Sequence, residues 1–229
     1  MTVDRRIYVK KHLAALAITV IIFTIGIMIG LQVSDLRINA ITNAARLQRA
    51  QFESLQLQYT FLNSAQNSSC VAFRTALDQN IYELENARTK LEAYIEDAND
   101  EEEFMIAKRE YMITEIRYWL LAQQAEKVCE LDTVSVLFFY RRSQVCGDCG
   151  TQGIILTYLK ERFKDKLLIF SLDADMQDPT VMLIKNTYKI ENTPSVVIEE
   201  RVFEGLTRQE NLKEEICRNF KTKTIKCEE

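Results

Sequence analysis

The sequence predicts a chain in three unlike parts: an N-terminal transmembrane helix, an all-α antiparallel helical hairpin or coiled-coil region, and a C-terminal α/β domain. Three observations carry this reading. Leu13–Val33 is a run of 21 residues without a charge. From Leu31 to Cys146, 116 residues pass without one glycine or proline, the residues on which turns depend. Beyond Cys129, β-branched and aromatic runs alternate with helical ones, which is the pattern of an α/β domain.

Residues 1–12 form a basic tail, with Arg5, Arg6, Lys10 and Lys11 against Asp4. The uncharged run 13–33 would span roughly 30 Å as a helix, the thickness of a bilayer core. Core helices of soluble proteins are seldom apolar all round, which argues against a buried helix. A cleavable leader has a shorter apolar core of about 7–15 residues and ends in small residues. This run ends in IGLQVSD, so the sequence reads as an uncleaved single-pass anchor. Positive charge stays in the cytoplasm. The expected topology is therefore N-terminus inside, with everything beyond Val33 outside the cytoplasm and attached to the cell membrane. The formal charge is −4, and a mildly acidic chain gives a nucleic-acid partner no footing.

Residues 34–130 are expected to be helical. Ile38, Ile41, Ala45, Phe52, Leu55, Tyr59 and Leu62 follow a 3-4 spacing, interrupted by Gln48. The polar stretch Asn63–Ser69 ends that helix, and Asn67-Ser68-Ser69 fits a glycosylation sequon, a triplet that also arises by chance. A second helix carries Phe73, Leu77, Ile81, Leu84, Leu91 and Ile95. The acidic run Asp97–Glu103 reads as a solvated turn rather than a metal site, and its charges suit the start of the next helix. The third helix carries Phe104, Ala107, Tyr111, Ile116, Trp119, Leu120 and Val128. Short connections predict an antiparallel bundle. If the second and third helices fold back about residues 99–100, facing residue numbers add to about 199, which places Cys70 opposite Cys129. All six cysteines (70, 129, 146, 149, 217 and 227) lie beyond the anchor, where disulfides persist. A Cys70–Cys129 bridge would be worth roughly 4 kcal/mol in the chain-entropy model; two unpaired core cysteines are the alternative.

Residues 131–229 form the expected α/β domain. Val134–Tyr140 is a buried strand, Ile154–Lys164 a helix and Lys166–Asp175 a second strand. Asp178–Ile190 is a helix with an aspartate cap and Pro179 at its first position. Ser195–Gly205 is a hairpin and Thr207–Phe220 an amphipathic helix. Directly after the first strand comes Cys146-Gly147-Asp148-Cys149. As a permanent staple this pair would close too short a loop to constrain the chain. As a zinc clip it lacks further ligands, since His12 is across the membrane. No metal is expected. Cys217 and Cys227 read as a small structural disulfide, with a free buried Cys217 as the alternative.

The order strand, CGDC, helix, strand, helix, Thr193-Pro194, hairpin, helix resembles the thioredoxin superfamily over about residues 133–220. The resemblance implies a thiol–disulfide oxidoreductase needing no bound cofactor. It implies a cis Pro194 and a Thr193 that offers its backbone to substrate. A sulfur at the start of a helix is favoured as thiolate. Cys146 is therefore the expected exposed nucleophile, and Cys149, one turn later and less exposed, the resolving thiol. The chain departs from the family in three ways. The acid that thioredoxin buries beneath its dithiol has no counterpart at the strand end Phe138-Phe139-Tyr140. Asp148 stands where thioredoxin has proline, disfavouring a thiolate that Arg141 and Arg142 would favour on folding back. Gly150 and Gly153 weaken the helix by up to about 1 kcal/mol each and leave a bare surface for a substrate backbone.

The expected partners are cysteine-containing protein substrates, a redox partner and the membrane. The second reading is a redox-inactive or redox-sensing adaptor whose helical region binds partners or forms a homodimeric coiled coil.

Overall fold

The structure is a computed structural model that describes residues 5–64, 70–96, 101–222 and 227. It divides into two compact units, Met1–Ala65 and Gln66–Glu229. The first is a single helix, α1 (Arg5–Ser64). Within it, His12–Gly30 has a mean hydropathy of 2.6 and is long and apolar enough to cross a membrane. The seam expected at 38–62 belongs to this same helix. Asn67 and most of the expected turn, residues 97–100, lie outside the described residues.

The second unit opens with α2 (Cys70–Glu96) and α3 (Glu101–Cys129), which run antiparallel. Glu101, Glu102 and Glu103, expected in the turn, form the first turn of α3, where they face the positive end of its dipole. The pairing is laced by Lys90–Glu110 and Glu83–Arg117, both at 2.7 Å, and by Tyr94 donating to Glu103 at 3.5 Å. These partners add to between 197 and 200, the register in which Cys70 and Cys129 are bonded with Cα atoms 5.0 Å apart.

There follow β1 (Val134–Tyr140), α4 (Cys149–Phe163), a 3₁₀ turn (Lys164–Lys166), β2 (Leu167–Asp173), α5 (Pro179–Thr187), β3 (Ser195–Ile198), β4 (Arg201–Glu204) and α6 (Gln209–Asn219). The sheet order is β2-β1-β3-β4. β1 and β2 are parallel, with Val134 opposite Leu167 and Tyr140 opposite Asp173; β3 runs antiparallel to both β1 and β4. This mixed four-stranded sheet flanked by helices fits the thioredoxin-like α/β arrangement expected from the element order.

The sheet separates two cores, and the alternation of β1 shows why. Leu137 and Phe139 point to one face, where they meet Met112, Ile116 and Trp119 of α3 and Val181 and Ile184 of α5. Val136 and Phe138 point to the other, against Leu156, Leu159 and Phe163 of α4 and Leu212 and Ile216 of α6. A strand covered on both sides reads as a continuous apolar run, which is what VSVLFFY is.

The sequence placed the boundary between helical region and α/β domain at residues 130–131. Packing runs straight across it, because α3 has two apolar sides: one meets α2 and the other roofs the sheet. α3 also covers the outer edge of β2, where Glu115 accepts the Ser171 N–H at 3.5 Å. An edge N–H left bare would invite another strand. At the far end of the unit, Asp132 fastens the C-terminal tail. It accepts from Lys166 Nζ at 2.8 Å, from the Lys221 N–H at 2.7 Å and from the Thr222 hydroxyl. Cys217 and Cys227 are bonded nearby, Cα atoms 5.8 Å apart, and both pack on the α4/α6 core.

Candidate active site

Strand β1 ends at Tyr140, and the chain turns through residues 141–148 before α4 begins at Cys149. The sequence put Cys146 at the helix start. It lies in the turn just ahead, where its N–H bonds the Arg142 carbonyl at 3.0 Å and its own carbonyl accepts the Cys149 N–H at 3.4 Å. Asp148 is the N-cap residue, but its side chain makes no capping bond. The two sulfurs are joined, with Cα atoms 5.4 Å apart.

Cys146 was expected to be exposed and Cys149 less so. Both are buried in the bonded pair, at 4% and 6% exposed. The chain turns back on itself here, with the Cys146 N–H on the Arg142 carbonyl and the Arg141 N–H on Cys149 Sγ, which tucks the pair against the end of β1. The surrounding turn is open: residues 141–145, Gly147, Asp148 and Gly150 are all exposed. A Cβ on Gly147 or Gly150 would meet nothing within 4 Å, so the backbone here can be approached closely.

Arg141 and Arg142, which would favour a thiolate on folding back, are engaged elsewhere. The Arg141 guanidinium is taken by Asp175 at 2.6 Å, and Arg142 reaches the sulfur of Met105 on α3 at 3.7 Å. The main chain supplies a donor, the Arg141 N–H, to Cys149 Sγ at 3.4 Å. A thiolate released at position 149 would find that donor in place.

The Thr193–Pro194 peptide bond is cis. Pro194 is buried and Thr193 is half-buried at the edge of the loop. The loop is held by Ser195 Oγ donating to the Asn192 carbonyl at 2.6 Å, by Asn192 donating to Glu204 at 3.1 Å, and by the Gly205 N–H donating to the Pro194 carbonyl at 2.8 Å.

No acid sits on β1 beneath the dithiol, and the two buried acids nearby act on Tyr140 at the end of the strand. Asp173, at the end of β2 opposite Tyr140, forms an ion pair with Lys108 of α3, and their side chains are 4% and 14% exposed. The Lys108 ammonium also lies 5.6 Å from the centre of the Tyr140 ring. Burial, and then the charges of Asp173 and Glu115, push the Tyr140 hydroxyl up, so it stays protonated. Glu115, buried on α3, accepts from Tyr111 at 3.1 Å while its second oxygen has no partner. Burial drives its carboxyl up to about 8.

Sequence reasoning missed Lys108, Asp173, Glu115 and Gln152. Two of them had a signal. Glu115 falls on the stripe of Met112, Ile116 and Trp119, and Gln152 on that of Leu156, Leu159 and Phe163. A polar residue at a core position of an amphipathic helix is the mark of a buried group with a partner. Lys108 and Asp173 carry no such mark, because their pairing depends on α3 docking against the sheet.

No family model and no curated protein sequence matches the chain. Among solved structures it is similar to the germline-specific thioredoxin Deadhead of Drosophila melanogaster, at 21% identity over 42% of this chain and 92% of that one, TM-score 0.32. It is also similar to chloroplastic thioredoxin z, at 19% identity over 43% and 88% of the two chains, TM-score 0.33. A third likeness is to a malarial protein, at 15% identity over 38% and 97%, TM-score 0.33.

Proposed function

We propose that this protein is a membrane-anchored thiol–disulfide oxidoreductase, working outside the cytoplasm on cysteine-containing proteins through Cys146 and Cys149. One observation carries the reading: the bonded pair sits in an open, glycine-flanked turn at the head of α4. A staple built for stability would close a long loop instead.

In the exchange, a substrate thiolate attacks Cys146 Sγ. The Cys146–Cys149 bond breaks, its electron pair leaves on Cys149, and a mixed disulfide forms at position 146. A second substrate thiolate then attacks the substrate sulfur of that mixed bond. The substrate departs oxidised, and Cys146 and Cys149 are left as the reduced pair. Run backwards, the same steps reduce a substrate disulfide, and the relative potentials set the direction. The Arg141 N–H stabilises charge on Cys149 in either direction. His12–Gly30 is the anchor, and the basic tail before it keeps the N-terminus inside.

The test is Cys149→Ser in the full chain. In the reducing direction Cys146 attacks a substrate disulfide and Cys149 resolves the mixed bond, so the variant, offered disulfide substrates, is expected to accumulate mixed disulfides at Cys146 that reductant releases, while Cys146→Ser accumulates none. Equal labelling of the two variants, or no thiol–disulfide exchange by the unaltered protein, overturns the proposal.

A further inference from the structure

We infer that Gln152 is a positioning residue for substrate docking: its buried carboxamide locks the Gly205–Thr207 turn to the dithiol helix and thereby ties the Thr193–Pro194 loop to that helix. The inference rests on the oxidoreductase reading above and adds to it the part that holds the docking surface in register with the dithiol.

Gln152 is 0% exposed. It lies three residues past Cys149 on the core stripe of α4, where every other member is apolar. Its Oε1 accepts the Thr207 N–H at 2.8 Å, whereas its Nε2 is buried with no partner. A half-satisfied amide in an apolar row is a poor choice for stability alone, and a leucine would fill the row without stranding a donor. What the amide provides is one bond to one loop.

That loop leads to the cis-proline. Thr207 is buried, and its hydroxyl donates to the Gly205 carbonyl at 3.3 Å. Gly205 adopts a φ of +74°, which glycine reaches without strain, and its N–H holds the Pro194 carbonyl at 2.8 Å. A continuous path therefore runs from α4 through Gln152, Thr207 and Gly205 to Pro194. The other bonds on the Thr193–Pro194 loop, from Asn192 and Ser195, tie it to the hairpin and to itself. The pairing of Ser195 with Phe139 anchors the loop to β1, and the Gln152 bond adds a side-chain tie to the helix bearing Cys149. Reactivity toward a protein depends on sulfur and docking surface keeping a fixed separation, and small misplacements slow reaction strongly. A small disulfide, which needs no docking surface, does not depend on that separation.

The experiment compares the full-length protein with its Gln152→Leu variant on two probes, insulin as a protein disulfide and oxidised glutathione as a small one. Amide hydrogen exchange is followed at Thr207. Gln152→Leu is expected to raise KM for insulin about tenfold. It should leave kcat, glutathione turnover and the dithiol reduction potential within about twofold, and it should speed Thr207 exchange while sheet amides stay protected. An unchanged insulin KM, or an equal loss on both probes, overturns the inference. So does a Thr207 amide that already exchanges in the unaltered protein as fast as an exposed loop, a result that stands even if the variant does not fold. An unaltered protein inert toward both probes overturns the oxidoreductase reading itself.

Discussion

Glu115 makes the stability of this protein depend on pH in an unusual direction. The carboxyl is buried between α3 and β2, faced by the Tyr111 hydroxyl and the Ser171 N–H, with Tyr140 close enough to be shifted by its charge. Its ordinary value is 4.5, and burial raises it to about 8 in the folded state. Between those values the folded protein holds a proton that the unfolded chain releases, so unfolding loses a proton and stability falls as pH rises. The stabilisation is fully present below pH 4.5 and is lost as pH climbs through about 8. At 1.36 kcal/mol for each pH unit, that interval sets an upper bound of about 5 kcal/mol. Relaxation and water entry reduce it, and about 2–3 kcal/mol is expected to be measurable. Glu115→Gln keeps the shape and the acceptor for Tyr111 but cannot ionise. Near pH 4.5 the variant should match the unaltered protein within about 1 kcal/mol, and by pH 8.5 it should be the more stable by about 2–3 kcal/mol. Urea unfolding at several pH values reads this out through Trp119, the only tryptophan, which is buried one turn along the same helix. Parallel pH profiles for the two proteins would refute the reasoning.

Two further predictions concern ion pairs. Lys108→Met leaves Asp173 buried without its counter-charge and should cost about 3 kcal/mol. Adding Asp173→Asn should recover more than half of that in a double-mutant cycle, and an additive cycle would show that the pair does not interact. Asp132 is pushed up by burial, but its bonds from Lys166, Thr222 and the Lys221 N–H outweigh this and bring its carboxyl from 3.8 to about 2. Its contribution is therefore present above pH 3.8 and lost as pH falls through about 2, and it amounts to at most about 2 kcal/mol. Asp132→Asn should lower the urea midpoint at pH 6 and lower it much less near pH 2, where half of the carboxyl is already protonated; an equal loss at both values contradicts the charge-based account.

The elements of this fold were legible wherever local chemistry decides them. VSVLFFY matches β1 residue for residue, and the capping bond from the Thr180 N–H to Asp178 with Pro179 behind it starts α5 as the sequence indicated. The antiparallel register of α2 and α3 followed from residue spacing alone. The second face of α3 was not legible. Met112, Ile116 and Trp119 look like any bundle seam, and periodicity says that a face is apolar without saying what covers it. The candidate site shows the same division. Two cysteines at that spacing, after a strand and before a helix, are a local signal. The environment of the sulfurs comes from residues distant in sequence, and whether Arg141 and Arg142 fold back on the dithiol was open in the sequence; in the fold Asp175 and Met105 hold them.

Since α3 is at once half of the hairpin and one wall of the sheet, there is no clean place to cut this protein between its helices and its dithiol. A fragment starting at residue 131 would not be an intact domain set free. It would lose Met112, Ile116 and Trp119 from the core around Leu137, Phe139, Phe170 and Leu172, leaving α5 as partial cover and Asp173 stripped of its lysine. The same continuity means that anything grasping α2 or α3 has its hand on one wall of the sheet that leads to the dithiol.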